Sequence, residues 1–259
     1  MTDEARARAA TLRKNFSEIE AAARSAGTAP SLKGALSRND VGVIAEVKRS
    51  SPSKGAINEG LDIGEQVSRY QAGGAAAISI LTEQTRFGGS NDDLVQARRY
   101  VTLPLLKKDF HVDVVQIYEA RALGAAAALV IARAVEPSLL GELVSAGSNC
   151  GIEILVEVRD ERELARAIAA NAALIGVNNR NLETLEIDPE TCARMLPLIP
   201  ASVVAVAESG IASADDVERL AAYGADAVLV GSVLSASNNP EAAVRALTGV
   251  PRSHGARKG

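Results

Sequence analysis

Carboxylate, amine and amide side chains recur in this 259-residue sequence where short apolar runs give out. The runs are 41–47, 75–81, 103–106, 126–131, 152–156, 174–177, 203–207 and 227–230. Glu46 and Lys48 fall at the end of the first run, and Lys108, Glu157, Asn178 and Glu208 beyond the third, fifth, sixth and seventh. Side chains alternate along a strand, so Ile44, Glu46 and Lys48 share a face; with Ile44 in a core, the other two project from its end. An ammonium beside a carbonyl stabilises developing oxyanion charge, and a nearby carboxylate takes up a proton. Ionisable groups gathered this closely shift one another's pKa values, which is how acids and bases are set for work near neutral pH. Lysine usage points the same way. Only seven of the 28 basic residues are lysine, and Lys48, Lys54, Lys107 and Lys108 lie in two short stretches. Arginine stays charged, whereas a lysine amine can trade protons. The alternative is surface pairing of Lys48 with Glu46 and of Lys108 with Asp109, which contributes little.

Two further segments suit an anion. Glu208-Ser-Gly-Ile211 and Val230-Gly-Ser-Val233 follow the last two runs, so that Gly210 and Gly231 would let backbone N–H groups approach a phosphate while Ser209 and Ser232 add hydroxyls. Ser51-Pro-Ser53 would form a third side. Otherwise both glycines are turn residues. Phe87 and Phe110 follow the second and third runs, where an aromatic ring either stacks on a flat substrate or seals the top of the fold. His111 reads as a hydrogen-bonded structural group. No His/Cys/Asp cluster has metal spacing, so the expectation is no metal and no cofactor.

Elements must hold these groups together. The runs are continuous in Val, Ile, Leu and Ala, as in parallel strands covered on both faces. Helix-start signals lie between them. Ser90-Asn-Asp-Asp93 and Ser213-Ala-Asp-Asp216 read as N-caps with acidic first turns, and Asp160-Glu-Arg-Glu163 as a capping box. Pro137, Pro189 and Pro240 suit first helical positions. Gly74-Ala75, Gly124-Ala125 and Gly224-Ala225 repeat at multiples of roughly 25 residues, one strand–helix module, with glycine just past a helix end. Eight such units predict a single α/β domain, a (β/α)8 TIM barrel over 41–250. The competitor, an open doubly wound sheet, usually carries a glycine-rich nucleotide fingerprint, and none occurs. Residues 1–40 form an N-terminal helical extension, with one helix over 3–26 carrying Leu12, Phe16, Ile19 and Ala23 on a stripe and a break at Gly27-Thr-Ala-Pro30. Residues 251–259 are expected to be a disordered tail.

Composition excludes other classes. A formal charge of −4 argues against sequence-independent nucleic-acid binding. No apolar run approaches the ~20 residues of a membrane span, and the opening residues lack a basic-then-apolar leader. Cys150 and Cys192 fit no disulfide framework, so a cytoplasmic protein is expected.

The segment Ile44-Ala-Glu-Val-Lys-Arg-Ser-Ser-Pro-Ser-Lys-Gly55 resembles the signature of the indole-3-glycerol-phosphate synthase family, the ring-closing enzymes of tryptophan biosynthesis. Leu105-Leu-Lys-Lys-Asp-Phe110, Leu155-Val-Glu-Val158, Ile175-Gly-Val-Asn-Asn-Arg-Asn-Leu182, Ala207-Glu-Ser-Gly-Ile211 and Val230-Gly-Ser232 are similar to that family in the same order. The likeness spans 32–247; the segment before Leu32 lacks the family's basic opening helix. The resemblance implies a lyase that converts 1-(2-carboxyphenylamino)-1-deoxyribulose 5-phosphate to indole-3-glycerol phosphate, CO₂ and water. It implies Lys108 as general acid, Glu157 as its partner in dehydration, Lys48 as the amine that holds the carboxylate, and Glu46 and Asn178 as supports of the intermediate. Ser51, Gly210, Gly231 and Ser232 match phosphate-binding positions, Arg180, Glu208 and Ser209 other mouth positions, and Phe87, Phe110 and Leu182 the walls around the anthranilate ring. The expected partner is this phosphorylated small molecule, with no membrane or nucleic acid, bound by a monomer or weak homodimer. The alternatives are another phosphate-binding barrel, such as a phosphoribosylanthranilate isomerase relative, or a barrel that binds a phosphometabolite without catalysis.

Overall fold

The computed structural model describes residues 2–52, 55–58, 60–253 and 255–257. Its strands are β1 (Gly42–Val47), β2 (Ala77–Leu81), β3 (Leu105–Lys108), β4 (Ala127–Ile131), β5 (Glu153–Val158), β6 (Leu174–Asn178), β7 (Val204–Glu208) and β8 (Ala227–Val230). Each pairs in parallel with its sequence neighbours, and β8 pairs with β1, so the ring is closed and the open-sheet alternative falls. The eight strands are those expected, with ends moved by at most two residues. The third moves at both ends for a clear reason. Pro104 has no N–H to donate, and only its carbonyl joins the ladder, accepting from Ile78 N–H. Pairing therefore starts at Leu105, and Lys107 and Lys108 lie inside the strand, not beyond it.

The glycine repeat ends helices as expected, and more widely than its spelling shows. Gly74, Gly124 and Gly224 have φ of 94, 89 and 98°, and the N–H groups of Ala75, Ala125 and Ala225 return to the carbonyls of Tyr70, Ala120 and Leu220. Gly151 (φ 78°) and Asn171 (φ 57°) do the same job before Ile152 and Ala172, whose N–H groups reach Gly147 and Ala167. Ser90 and Ser213 form capping boxes with Asp93 and Asp216. The one box expected as such is half made: Asp160 accepts from Glu163 N–H, but the Glu163 carboxylate turns to Arg159 N–H and the Arg133 guanidinium. Pro137 and Pro240 open helices, while Pro189 precedes the first helical residue, Glu190.

The N-terminal extension departs from expectation. Two helices, α1 (Thr2–Arg13) and α2 (Phe16–Ser25), replace the single one, because Asn15 leaves helical geometry at ψ 28°. Phe16 docks edge-on against Tyr118 with ring centroids 5.3 Å apart. A short helix α3 (Leu32–Leu36) then closes the lower end of the barrel. Leu32 and Leu36 pack with Ile44, Leu106, Leu129, Leu155, Leu174, Val206 and Leu229, the interior residues of the strands. A second, larger apolar layer lies between strands and outer helices. Residues 251–253 and 255–257, from the stretch expected to be disordered, make specific contacts: Arg252 and Arg257 both reach the buried Asp226, the latter at 2.5 Å.

Candidate active site

Strand alternation builds the site. Two residues above Ile44, Leu106, Leu155, Val206 and Leu229 stand Glu46, Lys108, Glu157, Glu208 and Gly231, and two above Leu174 stands Gly176, followed by Asn178. The residues that fill the barrel are thus followed, one layer up, by the ionisable and amide groups at its C-terminal mouth, the end where barrels of this kind carry their sites. The two glycines in this layer make room. A Cβ on Gly176 would lie 2.2 Å from Glu208 Oε1, and one on Gly231 would lie 2.3 Å from Glu46 Oε1 and 3.0 Å from Lys48 Nζ.

The polar groups converge as the strand ends predict. Lys108 Nζ lies 3.4 Å from Glu157 Oε2 and 3.3 Å from Glu208 Oε2. Asn178 Nδ2 donates to Glu157 Oε1 at 3.0 Å, and its Oδ1 accepts from Arg180 N–H at 2.9 Å. Lys48 Nζ pairs with Glu46 Oε1 at 2.7 Å. The surface-pairing alternative fails for both lysines. The Lys48–Glu46 pair is nearly buried, and Asp109 pairs with Lys107 while Lys108 points into the mouth.

Electrostatics follow from burial and this packing. Burial alone would lower the Lys108 pKa, but Glu208, Glu157 and Glu46 outweigh it and hold the ammonium well above the ordinary lysine value. Burial pushes the Glu208 carboxyl up to about 7, against the pull of Lys108 and with the help of Glu157. Glu46 goes the other way: burial would raise it, yet Lys48 and Lys108 hold it below the usual carboxylate value. The resting mouth therefore holds a protonated lysine beside one carboxyl raised toward neutrality and another held below the usual carboxylate value.

These groups open on a cavity of about 310 Å³, also lined by Ser51, Phe87, Phe110, Arg180, Leu182, Ser209, Gly210, Gly231 and Ser232. Glu157 joins through Lys108 and Asn178. Ser53 lies outside the described residues. Ser209 and Gly210 both take left-handed backbone (φ 69 and 79°). For serine that is a strained state, of the kind that collects at ligand sites. The Arg180 guanidinium donates to Leu185 O at 2.6 Å; desolvation lowers its pKa, and no carboxylate faces it among the described residues. His111 is buried, with Nδ1 2.6 Å from Leu129 O, and burial lowers its pKa to about 4, so it stands as a neutral structural group.

Supports that sequence reasoning missed lie behind these residues. Asn179 Nδ2 donates to the carbonyl of the strained Ser209, and its Oδ1 accepts from Cys192 N–H. Ser235 and Tyr70 hydroxyls both reach Glu46 O, and Ser235 Oγ also accepts from Lys48 N–H. Glu83 accepts from the N–H groups of Thr85, Arg86 and Phe87, folding the short helix (Gln84–Phe87) that carries Phe87. Leu185 and Ile187 complete the wall; their spacing after Leu182 in a mostly polar loop was the available signal.

A family model described as indole-3-glycerol phosphate synthase matches residues 2–247, so its span includes the N-terminal helices ahead of Leu32. A protein named indole-3-glycerol phosphate synthase from Rhodococcus opacus (strain B4) is 47% identical over 230 residues, 89% of this chain and 86% of that one. One of the same name from Mycobacterium tuberculosis (strain ATCC 25618 / H37Rv) is 46% identical over 230 residues, 89% and 85% of the two chains. Among solved structures, thiamine phosphate pyrophosphorylase from Pyrococcus furiosus superposes with a TM-score of 0.60 at 15% identity over 84% of this chain and 96% of that one, a likeness of fold alone.

Proposed function

Because the chain belongs to the indole-3-glycerol phosphate synthase family, we propose that its barrel mouth closes the indole ring of 1-(2-carboxyphenylamino)-1-deoxyribulose 5-phosphate with Lys108 as proton donor. The reaction is a decarboxylating, dehydrating ring closure of tryptophan biosynthesis. The aromatic carbon bearing the carboxylate attacks the ketone, forming the new C–C bond. Lys108 donates a proton to the carbonyl oxygen as its charge develops, an interaction strongest in the transition state. Loss of CO₂ returns the bonding pair to the benzene ring. The new hydroxyl then leaves as water, and loss of a methylene proton completes the pyrrole. Glu157, in contact with Lys108 and Asn178, exchanges protons in that dehydration. Because the electrons stay within substrate and CO₂, the step needs no redox cofactor.

The rest of the cavity divides by chemistry. Gly210, Gly231, Ser209, Ser232 and Ser51 take the phosphate, whose remote binding orients the reacting carbons, and Ser53 is a further candidate by its sequence position alone. Lys48 holds the substrate carboxylate, with Glu46 keeping it in place; Arg180 is a second cation on that wall. Phe87, Phe110 and Leu182 enclose the anthranilate ring, and Glu208 tunes Lys108. The protein acts in this reading as a monomer or weak homodimer in the cytoplasm. The observation that carries this reading is the Lys108 ammonium held between Glu157 and Glu208, on the side of the barrel opposite the phosphate loops. Purified protein given the substrate should produce indole fluorescence and CO₂ in equal amounts. Substrate bound without either product would overturn the proposal.

A further inference from the structure

The N-terminal helix α1 is joined to the barrel by Arg8 to Asp109 and by Arg13 to Asp113, at 2.6 and 2.7 Å. The two contacts differ in where they land. Asp113 is the N-cap of the helix after β3 (Val114–Ala122) and does not line the first cavity, and its Arg13 partner is mostly exposed. Asp109 lies between Lys108 and Phe110, both of which line the cavity. It is buried, and its carboxylate gathers four donors. Oδ1 accepts from Arg8 Nη2 and from Phe110 N–H (2.8 Å); Oδ2 accepts from Thr82 Oγ1 (2.8 Å) and faces Lys107 Nζ (3.4 Å). Lys107 also meets Glu119 at 3.5 Å, and Asn91 Nδ2 donates to Glu119 Oε1 at 3.1 Å. Alternation explains the division: Lys108 points into the barrel, and Lys107 points outward into this cluster.

A second cavity, about 270 Å³, separates α1 from the strand ends here, and Arg8, Lys107 and Asp109 line it. The Arg8 side chain therefore bridges a gap at this point. We propose that Arg8 is a positioning residue for ring closure, acting through Asp109 to fix the end of β3 that carries Lys108 and Phe110. The inference rests on the reading of Lys108 as proton donor. Arg8 lies outside the first cavity and acts through the Asp109 carboxylate, whose Oδ1 also accepts from Phe110 N–H. Without Arg8, that carboxylate keeps Lys107 and Thr82 on the other oxygen, so it is pulled to one side and Phe110 N–H loses its fixed acceptor. Displacements well under 1 Å suffice to slow a reaction that depends on the placement of a proton donor.

The test uses the full chain. Arg8→Met should lower kcat about tenfold, equivalent to ~1.4 kcal/mol of barrier. The KM and the affinity for indole-3-glycerol phosphate should stay within about threefold, because the phosphate loops stand across the barrel. Arg8→Lys restores a cation and should recover part of the loss. Arg13→Met loosens the same helix and should leave kcat unchanged. In Asp109→Asn, adding Arg8→Met should cost no more than about another twofold, since the two act as one unit. If Arg8→Met does not fold, Asp109→Asn with and without Arg8→Lys reads the same coupling. The inference is overturned if Arg8→Met turns over within twofold of wild type, if Arg8→Met and Arg13→Met lose activity equally, or if the Arg8 and Asp109 losses multiply. Lys108→Ala separates the two levels. A dead Lys108→Ala beside a fully active Arg8→Met removes only this inference, whereas an active Lys108→Ala removes the donor reading beneath it.

Discussion

Gly176→Ala places a single methyl group against the central carboxylate cluster. Gly176 is in β6 with ordinary strand backbone, so alanine meets no conformational barrier there. The cost falls on contacts. The new Cβ would lie 2.2 Å from Glu208 Oε1, 3.3 Å from Glu208 Cδ and 3.6 Å from Leu155 Cδ1. An ordinary contact needs about 3.5 Å, so the Glu208 carboxylate must retreat by about 1 Å. Glu208 is 1% exposed and packed against Lys108, so the move disturbs their 3.3 Å contact. Overpacking of this kind costs about 1–3 kcal/mol, which in a chain of this size lowers Tm by roughly 3–10 °C. A donor displaced by up to ~1 Å loses about 10–100-fold in rate. The assay is kcat from indole fluorescence at saturating substrate, alongside Tm. Glu208→Asp shortens the side chain by one methylene, so it should cost less activity in the Gly176→Ala background than in wild type. Gly141→Ala serves as control: nothing lies within 4 Å of its Cβ, in the middle of a helix, so it should stabilise the protein by ~0.5–1 kcal/mol without changing kcat. Gly176→Ala turning over within twofold of wild type would refute the claim that this layer is packed to its limit.

Other outcomes follow from the same geometry. Lys108→Ala and Glu157→Gln should each lose about 10²–10⁴-fold in kcat while still binding indole-3-glycerol phosphate, as general acid–base groups do; calorimetric binding without turnover is the pattern sought, and unchanged turnover in both ends the assignment. Glu208 titrates near 7 in the folded protein against an ordinary value of 4.5, so the folded state keeps a proton that the unfolded state releases in that window. Its contribution to stability therefore falls as pH rises from about 4.5 to about 7. The stability of Glu208→Gln relative to wild type should climb over the same range and then level off; a flat difference in Tm against pH would contradict the assigned shift. Arg252→Met with Arg257→Met should destabilise the fold by about 3 kcal/mol, because Asp226 would stay buried without either guanidinium. Adding Asp226→Asn should recover much of that loss, and a double variant melting within 2 °C (roughly 1 kcal/mol) of wild type would show that the C-terminal clamp contributes nothing.

What could be read from the sequence and what could not divide along the two faces of each strand. Interior fillers and chemical groups share the inward face, two residues apart, so Ile44 with Glu46 and Leu155 with Glu157 announce both the barrel and its mouth in one short stretch. The outward face is silent in sequence because its partners come from distant helices. Ser235 holds the backbone of Glu46 from 189 residues away, and Arg8 reaches Asp109 across 101. Neither residue belongs to a local pattern, and each becomes visible only once the ring is closed. The adjacent lysines make the point within a single strand. Sequence alone allowed Lys108 to pair with Asp109, but Pro104 delays the start of β3, Leu106 fills the interior, and the alternation this sets turns Lys108 toward Glu157 and leaves Asp109 to Lys107. Turn chemistry divides similarly. Gly74, Gly124 and Gly224 were recognisable by their shared spelling, whereas Asn171 makes the same helix stop with a side chain that tolerates left-handed backbone. The inward face therefore carries the groups proposed to react, and the outward face, with the helices packed on it, sets how firmly they are held. Substitutions on the second face should change kcat more than substrate binding, because they move the groups that react without removing any that bind.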